Sequence, residues 1–173
     1  MAGAADRERR RLIAAAEKHL QGGDPLTGRL AADLFAHVSL EDLAVPAPEA
    51  LAGFVRSAAS LLQKRMPGQP LVRLVDPPDT TDRPERALTL VEILNDNMPF
   101  LVDSVLGELQ DSGAQIRLVA HPIVAVLRDR KGKLVAYHGT GPAPDGAIRE
   151  SLIQVHVGRL ALDSDRAALA ARL

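Results

Sequence analysis

Asn95, Asp96 and Asn97 stand in a row, Met98 and Pro99 follow, and Asp103 and Ser104 come about one helical turn later. Two amides and a carboxylate side by side can recognise a zwitterion. The amides donate to a carboxylate, and the carboxylate accepts from an ammonium. The same residue types also make an ordinary turn. A helix start leaves four N–H groups without intrahelical partners. Asp96 or Asn97 can cap them through a side-chain oxygen, and Pro99 suits the first turn, where its missing N–H costs nothing. Asp103 is favoured by the helix dipole. A helix start of this kind can equally receive the carboxylate of a ligand. Two readings therefore stand side by side: a capped strand-to-helix turn, or an effector-binding turn built from Asn95, Asp96, Asn97, Met98, Pro99, Asp103 and Ser104.

Other chemistry is sparse. His121, His138 and His156 fall on three predicted strands, but no two share a metal-ligand spacing, and no metal site is assigned. Ser104 has no base beside it and no nucleophile-elbow pattern around it, so no catalytic residue is assigned. The nearest glycine cluster, Gly139-Thr-Gly141-Pro-Ala-Pro144, departs from the dinucleotide fingerprint at its last position and leads towards a strand, so no cofactor loop is assigned. Arg117 and Arg128 read either as carboxylate readers or as the lining of an exposed edge.

Composition narrows the field. The 173 residues contain no cysteine, which removes disulfides, thiolate metal sites and a Cys nucleophile. Aromatics are 2%, too few for base-stacking platforms, and 21 basic residues against 22 acidic leave no basic excess, so nucleic acid is not an expected partner. No apolar run approaches the ~20 residues that span a bilayer. The charged start followed by apolar residues is interrupted at Glu17, Lys18 and His19, too early for a signal peptide. A cytoplasmic protein is expected, with Arg9-Arg10-Arg11 as a solvated helix end among Asp6, Glu8 and Glu17.

The elements that must position the turn follow from periodicity. Helical spacing is found over 6–21, 26–38 and 48–65, the last with Leu51, Phe54, Val55, Ala58, Leu61 and Leu62 in one stripe. Residues 1–66 are read as a helical subdomain. LVRLV (71–75) is a short strand, and the proline-rich 76–85 suits a linker, so 67–85 separates this part from an α+β domain over 86–173. In 87–94, Leu88, Leu90 and Leu94 alternate with Val91 and Ile93, as in a strand buried on both faces. A helix over 98–112 ends at Gly113, placed for a left-handed cap. A long strand, 115–129, must be at an edge or bulged at Pro122. A hairpin turn at Gly132, a strand over 134–138, a loop over 139–147 and a strand over 150–158 follow. Asp163, Ser164 and Asp165 offer caps to a last helix that reaches Leu173 without a stop signal, which reads as a cut in mid-helix. The order is that of a split βαβ, ferredoxin-like plan: an antiparallel sheet with helices on one face.

The stretch NDNMPFLVDSV, followed by IRLVAHPIVAVLRD and RKGKL, resembles the N-terminal region of the large bacterial NAD-specific glutamate dehydrogenases. LFAHVSLEDLAVPAPEAL resembles the helical segment upstream of it in that family. The resemblance covers roughly residues 27 to 160. It implies an ACT-type module, a ferredoxin-like fold that often binds amino acids and mediates subunit contacts. It also implies a parent reaction: L-glutamate, NAD and water to 2-oxoglutarate, ammonia and NADH. The dehydrogenase chemistry lies downstream in that family, so the chain is expected to be a non-catalytic regulatory or assembly module. It would hold no cofactor itself, with NAD bound elsewhere in the parent. Its expected partners are the rest of the same polypeptide, further copies in a homo-oligomer and a free amino-acid effector, without membrane. The alternative is a structural oligomerisation module that binds nothing small.

Overall fold

The computed structural model describes residues 3–78 and 87–173. Most of the proline-rich stretch read as a linker lies outside the described residues.

The N-terminal part is helical: α1 (Ala4–Lys18), α2 (Pro25–Phe35), the short α3 (Leu40–Leu43) and α4 (Pro48–Leu62). Local chemistry sets their starts. Asp24 Oδ1 accepts from the Leu26 N–H at 2.9 Å, and Pro25 takes the first helical position. Ser39 Oγ accepts from the Asp42 N–H at 3.0 Å and starts α3, a turn that helical spacing alone does not reveal. Pro48 opens α4. Arg9 departs from the solvated role: it donates to the carbonyls of Phe35 and Val38 and so satisfies the end of α2 with a cation.

Among the described residues six strands follow: β1 (Leu71–Val75), β2 (Leu88–Asp96), β3 (Ile116–Ala120), β4 (Ile123–Arg128), β5 (Leu134–Gly139) and β6 (Ile148–Gly158). Helix α5 (Leu101–Asp111) lies between β2 and β3, and α6 (Asp163–Arg172) follows β6. All pairings are antiparallel, in the order β1-β2-β6-β4-β5, with β3 also against β6. The strand expected over 115–129 is broken at His121-Pro122, because proline has no N–H for the ladder. Both pieces pair with β6, and the Leu152 N–H donates to the Pro122 carbonyl at 3.0 Å across the break. Gly113 ends α5 as expected. It lies at φ 76°, its N–H bonds the Gln110 carbonyl at 2.9 Å, and the Ala114 N–H bonds Leu109 at 3.0 Å. Asp163, Ser164 and Asp165 do not cap α6; Leu162 takes that position, and Asp163 and Asp165 sit in the first turn.

Period-two alternation divides the sheet into two faces. Leu90 and Leu94 of β2, Leu152 of β6 and Val124 and Val126 of β4 share a core with α1, α2 and α4. Val91, Ile93, Ile153, Val155 and Val157 share another with Val105 and Leu109 of α5 and Leu169 of α6. The fold is therefore the α+β, ACT-like arrangement, with α5 and α6 together on one face. The N-terminal helices cover the opposite face. Each fully buried Leu or Val in these layers contributes about 1.5–3 kcal/mol.

Polar ties fix the layers in register. Glu92, buried on the N-terminal side, accepts from Arg73 Nε at 2.6 Å, Ser57 Oγ at 3.0 Å and Gln154 Nε2 at 2.8 Å. Gln154 Oε1 is 2.9 Å from His156 Nε2, and the His156 ring packs edge-on against Phe54 of α4 at 4.2 Å. Tyr137 Oη donates to Asp33 Oδ2 at 2.6 Å and holds α2 on β5. On the other side, Arg166 donates to both oxygens of Asp76 at 2.9 Å and anchors α6 beside β1.

Candidate functional site

The strand β2 runs further than its apolar pattern suggests. It includes Asn95 and Asp96, which pair with Ser151 and Glu150 of β6. Successive strand residues point to opposite faces, so the Asn-Asp-Asn triplet is divided. Asn95 and Asn97 belong to the α5 side, and Asp96 turns towards the N-terminal helices.

There Asp96 joins a buried ion network. Asp96 and Glu150 are direct cross-strand neighbours, and two like charges so placed repel. Arg65, whose side chain is fully buried, lies between them. Its Nη2 donates to Asp96, and its Nε donates to Glu150 Oε1 at 2.9 Å. Its Nη1 donates to the Gln69 carbonyl at 3.0 Å. Arg128 grips Glu150 in a bidentate pair, with Nε and Nη2 each at 2.7 Å. Arg128 Nη1 also reaches the carbonyls of Leu62 and Gly132 at 3.0 Å. Arg128 is thus neither a ligand reader nor the lining of an exposed edge. Asp96 Oδ2 accepts from the Gly68 N–H at 2.9 Å, which brings the loop after α4 against the end of β2. Sequence spacing gives no hint of this network, since its members lie 22 to 85 residues apart.

On the opposite face the polar groups are less buried. The Asn97 N–H donates to the Arg149 carbonyl at 3.1 Å, and its Oδ1 accepts from Ser151 Oγ at 3.3 Å. The Asn97 side chain is exposed. His121 Nε2 lies 3.4 Å from Ser151 Oγ, so the break between β3 and β4 aims an imidazole under the turn. Burial lowers the His121 pKa, and the nearby charge of Asp103 opposes the shift. Asn95 Oδ1 accepts from the Asp96 N–H at 2.8 Å, a local bond at the end of the strand. Sequence reasoning missed Ser151, and it weighed His121 only as one of three strand histidines, not beside the turn. Ser151 sits opposite Asn95, and only strand register reveals it.

Neither Asp96 nor Asn97 caps α5, and Pro99 does not enter its first turn. The cap position is Phe100, at φ 62° and ψ 7°, with no side chain closing the helix start. Phe100 is the only non-glycine residue with positive φ among the described residues. It is also 78% exposed, with Met98 at 47%. Asp103 and Ser104 are exposed on the first turn, where the Ser104 N–H bonds the Phe100 carbonyl at 3.0 Å. The turn therefore shows two apolar side chains, one amide, one carboxylate and the open N–H groups of a helix start. A cleft of about 260 Å³ lies elsewhere, between the start of α2 and β5, lined among others by Asp24, Arg29, Gln63, Val135 and Tyr137.

The three strand histidines do not converge. His156 faces α4, and His121 faces the α5 side. Among the described residues, no group of three or more His, Asp or Glu side chains is placed to hold a metal ion. No helix among them is long and apolar enough to cross a membrane.

Residues 30–173 match the family described as glutamate dehydrogenase, ACT1 domain. The chain is similar to an NAD-specific glutamate dehydrogenase of Halomonas elongata, with 36% identity over 134 residues, which is 73% of this chain and 8% of the relative. It is also similar to one of Pseudomonas aeruginosa, with 31% identity over 145 residues, 84% of this chain and 9% of the relative. The chain thus spans less than a tenth of the length of these curated relatives. No solved structure matches it.

Proposed function

The chain belongs to the family of glutamate dehydrogenase ACT1 domains, and from that premise we propose that it is a non-catalytic regulatory and assembly module of an NAD-dependent glutamate dehydrogenase. The whole polypeptide would oxidise L-glutamate with NAD and water to 2-oxoglutarate, ammonia and NADH in the cytoplasm. NAD and the catalytic groups would belong to other parts of it. The observation that carries this reading is the exposed turn from Asn97 to Phe100, whose root, Asp96, is tied into a buried ion network. A mobile turn would present nothing in particular, whereas a turn held by Arg65 presents one fixed shape.

An effector amino acid would meet this turn through its carboxylate, with Asn97 and the open N–H groups of α5 as donors. Asp103, exposed one turn on, would take the ammonium. Asp96, tied to Arg65, would support the turn from beneath, with Asn95, Met98, Pro99 and Ser104 around the ligand. The effector would shift the assembly only by as much as its affinity differs between two arrangements. The second reading is assembly without any small ligand, and the exposed Phe100 and Met98 favour it.

Thermal unfolding against free amino acids, nicotinamide nucleotides and 2-oxoglutarate separates the two. A ligand at a hundred times its Kd adds about 2.7 kcal/mol of apparent stability, or roughly 5–10 °C in Tm for a chain of this size. A shift with one amino acid, lost in Asn97→Ala, supports the effector site. A flat panel, with a molecular mass that rises with concentration, supports assembly alone.

A further inference from the structure

Phe100 combines two costs that the chain by itself does not recover: a left-handed backbone at φ 62° and an aromatic ring left 78% exposed. Strain of this kind persists only where surrounding structure imposes it, and it concentrates at functional positions. The surroundings here are specific. Asp96 binds Arg65 and the Gly68 N–H, so residues 66–69 lie beside the root of the turn. Two of the six exposed large apolar side chains described, Met98 and Phe100, thus stand on this one turn. Methionine side chains adapt their shape to a partner, and an aromatic ring supplies a large contact at little entropic cost. Arg149, exposed and bonded through its carbonyl to the Asn97 N–H, sets a cation at the rim, with its guanidinium on the Gly141 carbonyl at 3.3 Å.

We propose that Phe100 and Met98 form a docking surface for another part of the same polypeptide, an apolar socket with a carboxylate placed to meet Arg149. The inference rests on the reading of the chain as one module of a much longer dehydrogenase. That length is the reason for choosing this occupant: the curated relatives are more than ten times longer than the stretch they share with this chain. A module joined covalently to so much chain meets its own polypeptide at a far higher effective concentration than a free partner.

The test replaces Phe100 with p-benzoylphenylalanine in the full-length polypeptide, irradiates it and maps the cross-links. Mixed isotopically labelled and unlabelled chains separate links within one chain from links between copies. The expected product joins position 100 to a residue outside 1–173 of the same chain, and its yield falls at least threefold in Met98→Ser. Links only to residues 1–173, links only to a second copy, or no link at all each overturn the docking surface. NAD-dependent glutamate oxidation is assayed in parallel on the unsubstituted full-length polypeptide. Inactivity there, with the link still formed, would sink the dehydrogenase reading and leave the docking surface standing.

Discussion

Glu150→Gln is the sharpest probe of the buried network, because it keeps the shape of the side chain and removes its charge. Glu150 is fully buried, accepts two hydrogen bonds of 2.7 Å from Arg128 and one of 2.9 Å from Arg65. The substitution leaves Arg128 buried without a carboxylate and Arg65 with Asp96 alone. Removing one partner of a buried ion pair costs about 3–5 kcal/mol, since the other charge stays out of water without compensation. A domain of this size has about 5–15 kcal/mol in total, so the loss is a large fraction of its stability. It corresponds to a fall of about 6–20 °C in Tm. Urea unfolding measures it, with an unchanged slope marking an unchanged fold. The double variant Glu150→Gln, Arg128→Met tests the cause. It removes one charge of each sign, leaves Arg65 paired with Asp96, and is expected to recover about 2 kcal/mol relative to the sum of the single changes. A cost below about 1 kcal/mol for Glu150→Gln, or strict additivity in the double variant, would refute the reasoning.

Gly132→Ala is expected to cost about 2 kcal/mol or more by thermal unfolding, because Gly132 lies at φ 76° and an added Cβ would come within 2.4 Å of the Arg65 carbonyl oxygen. His156, pushed down to about 3 by burial, stays neutral in the folded chain. Below the unfolded value of 6.5 the unfolded chain binds a proton that the folded chain refuses, so stability is full above pH 6.5 and falls as pH drops towards 3, by roughly one kcal/mol per pH unit. His156→Gln should flatten that slope in urea titrations between pH 7 and 4. Phe100→Asn should raise the stability of residues 1–173 by about 1 kcal/mol, since asparagine tolerates the left-handed region and caps helices well. An unchanged or lower midpoint would mean that Phe100 is not strained.

Periodicity in the sequence carried the fold a long way. The two-faced apolar pattern of 87–94 located β2, Pro122 located the break between β3 and β4, and Gly113 located the end of α5. The site was harder to read, for a definite reason. Asn95, Asp96 and Asn97 read as one turn because polar residues follow an apolar run. The pairing with β6 extends the strand through Asp96 and sends alternate residues to opposite faces. The partners of Asp96 and Arg128 come from the segment after α4 and from β6, and nothing local in the sequence joins them. One signal was available. Glu92 and Glu150 sit in strands otherwise buried on both faces, and a charge in such a place requires a partner of opposite sign somewhere in the chain. The positive φ at Phe100 has no signature in the sequence, since the position would suit glycine or asparagine better.

The division of β2 between two faces also sets how the chain tolerates change over generations. A substitution in β2 alters one contact. Loss or gain of a single residue between Leu88 and Asn95 exchanges the parity of everything after it. Asp96 would then face α5, and Asn95 or Asn97 would be thrust against Arg65 with no charge to offer it. The segment behaves like a frame that admits spelling errors but not slips of length. The loop between β5 and β6 carries no such frame, and changes of length can accumulate there freely.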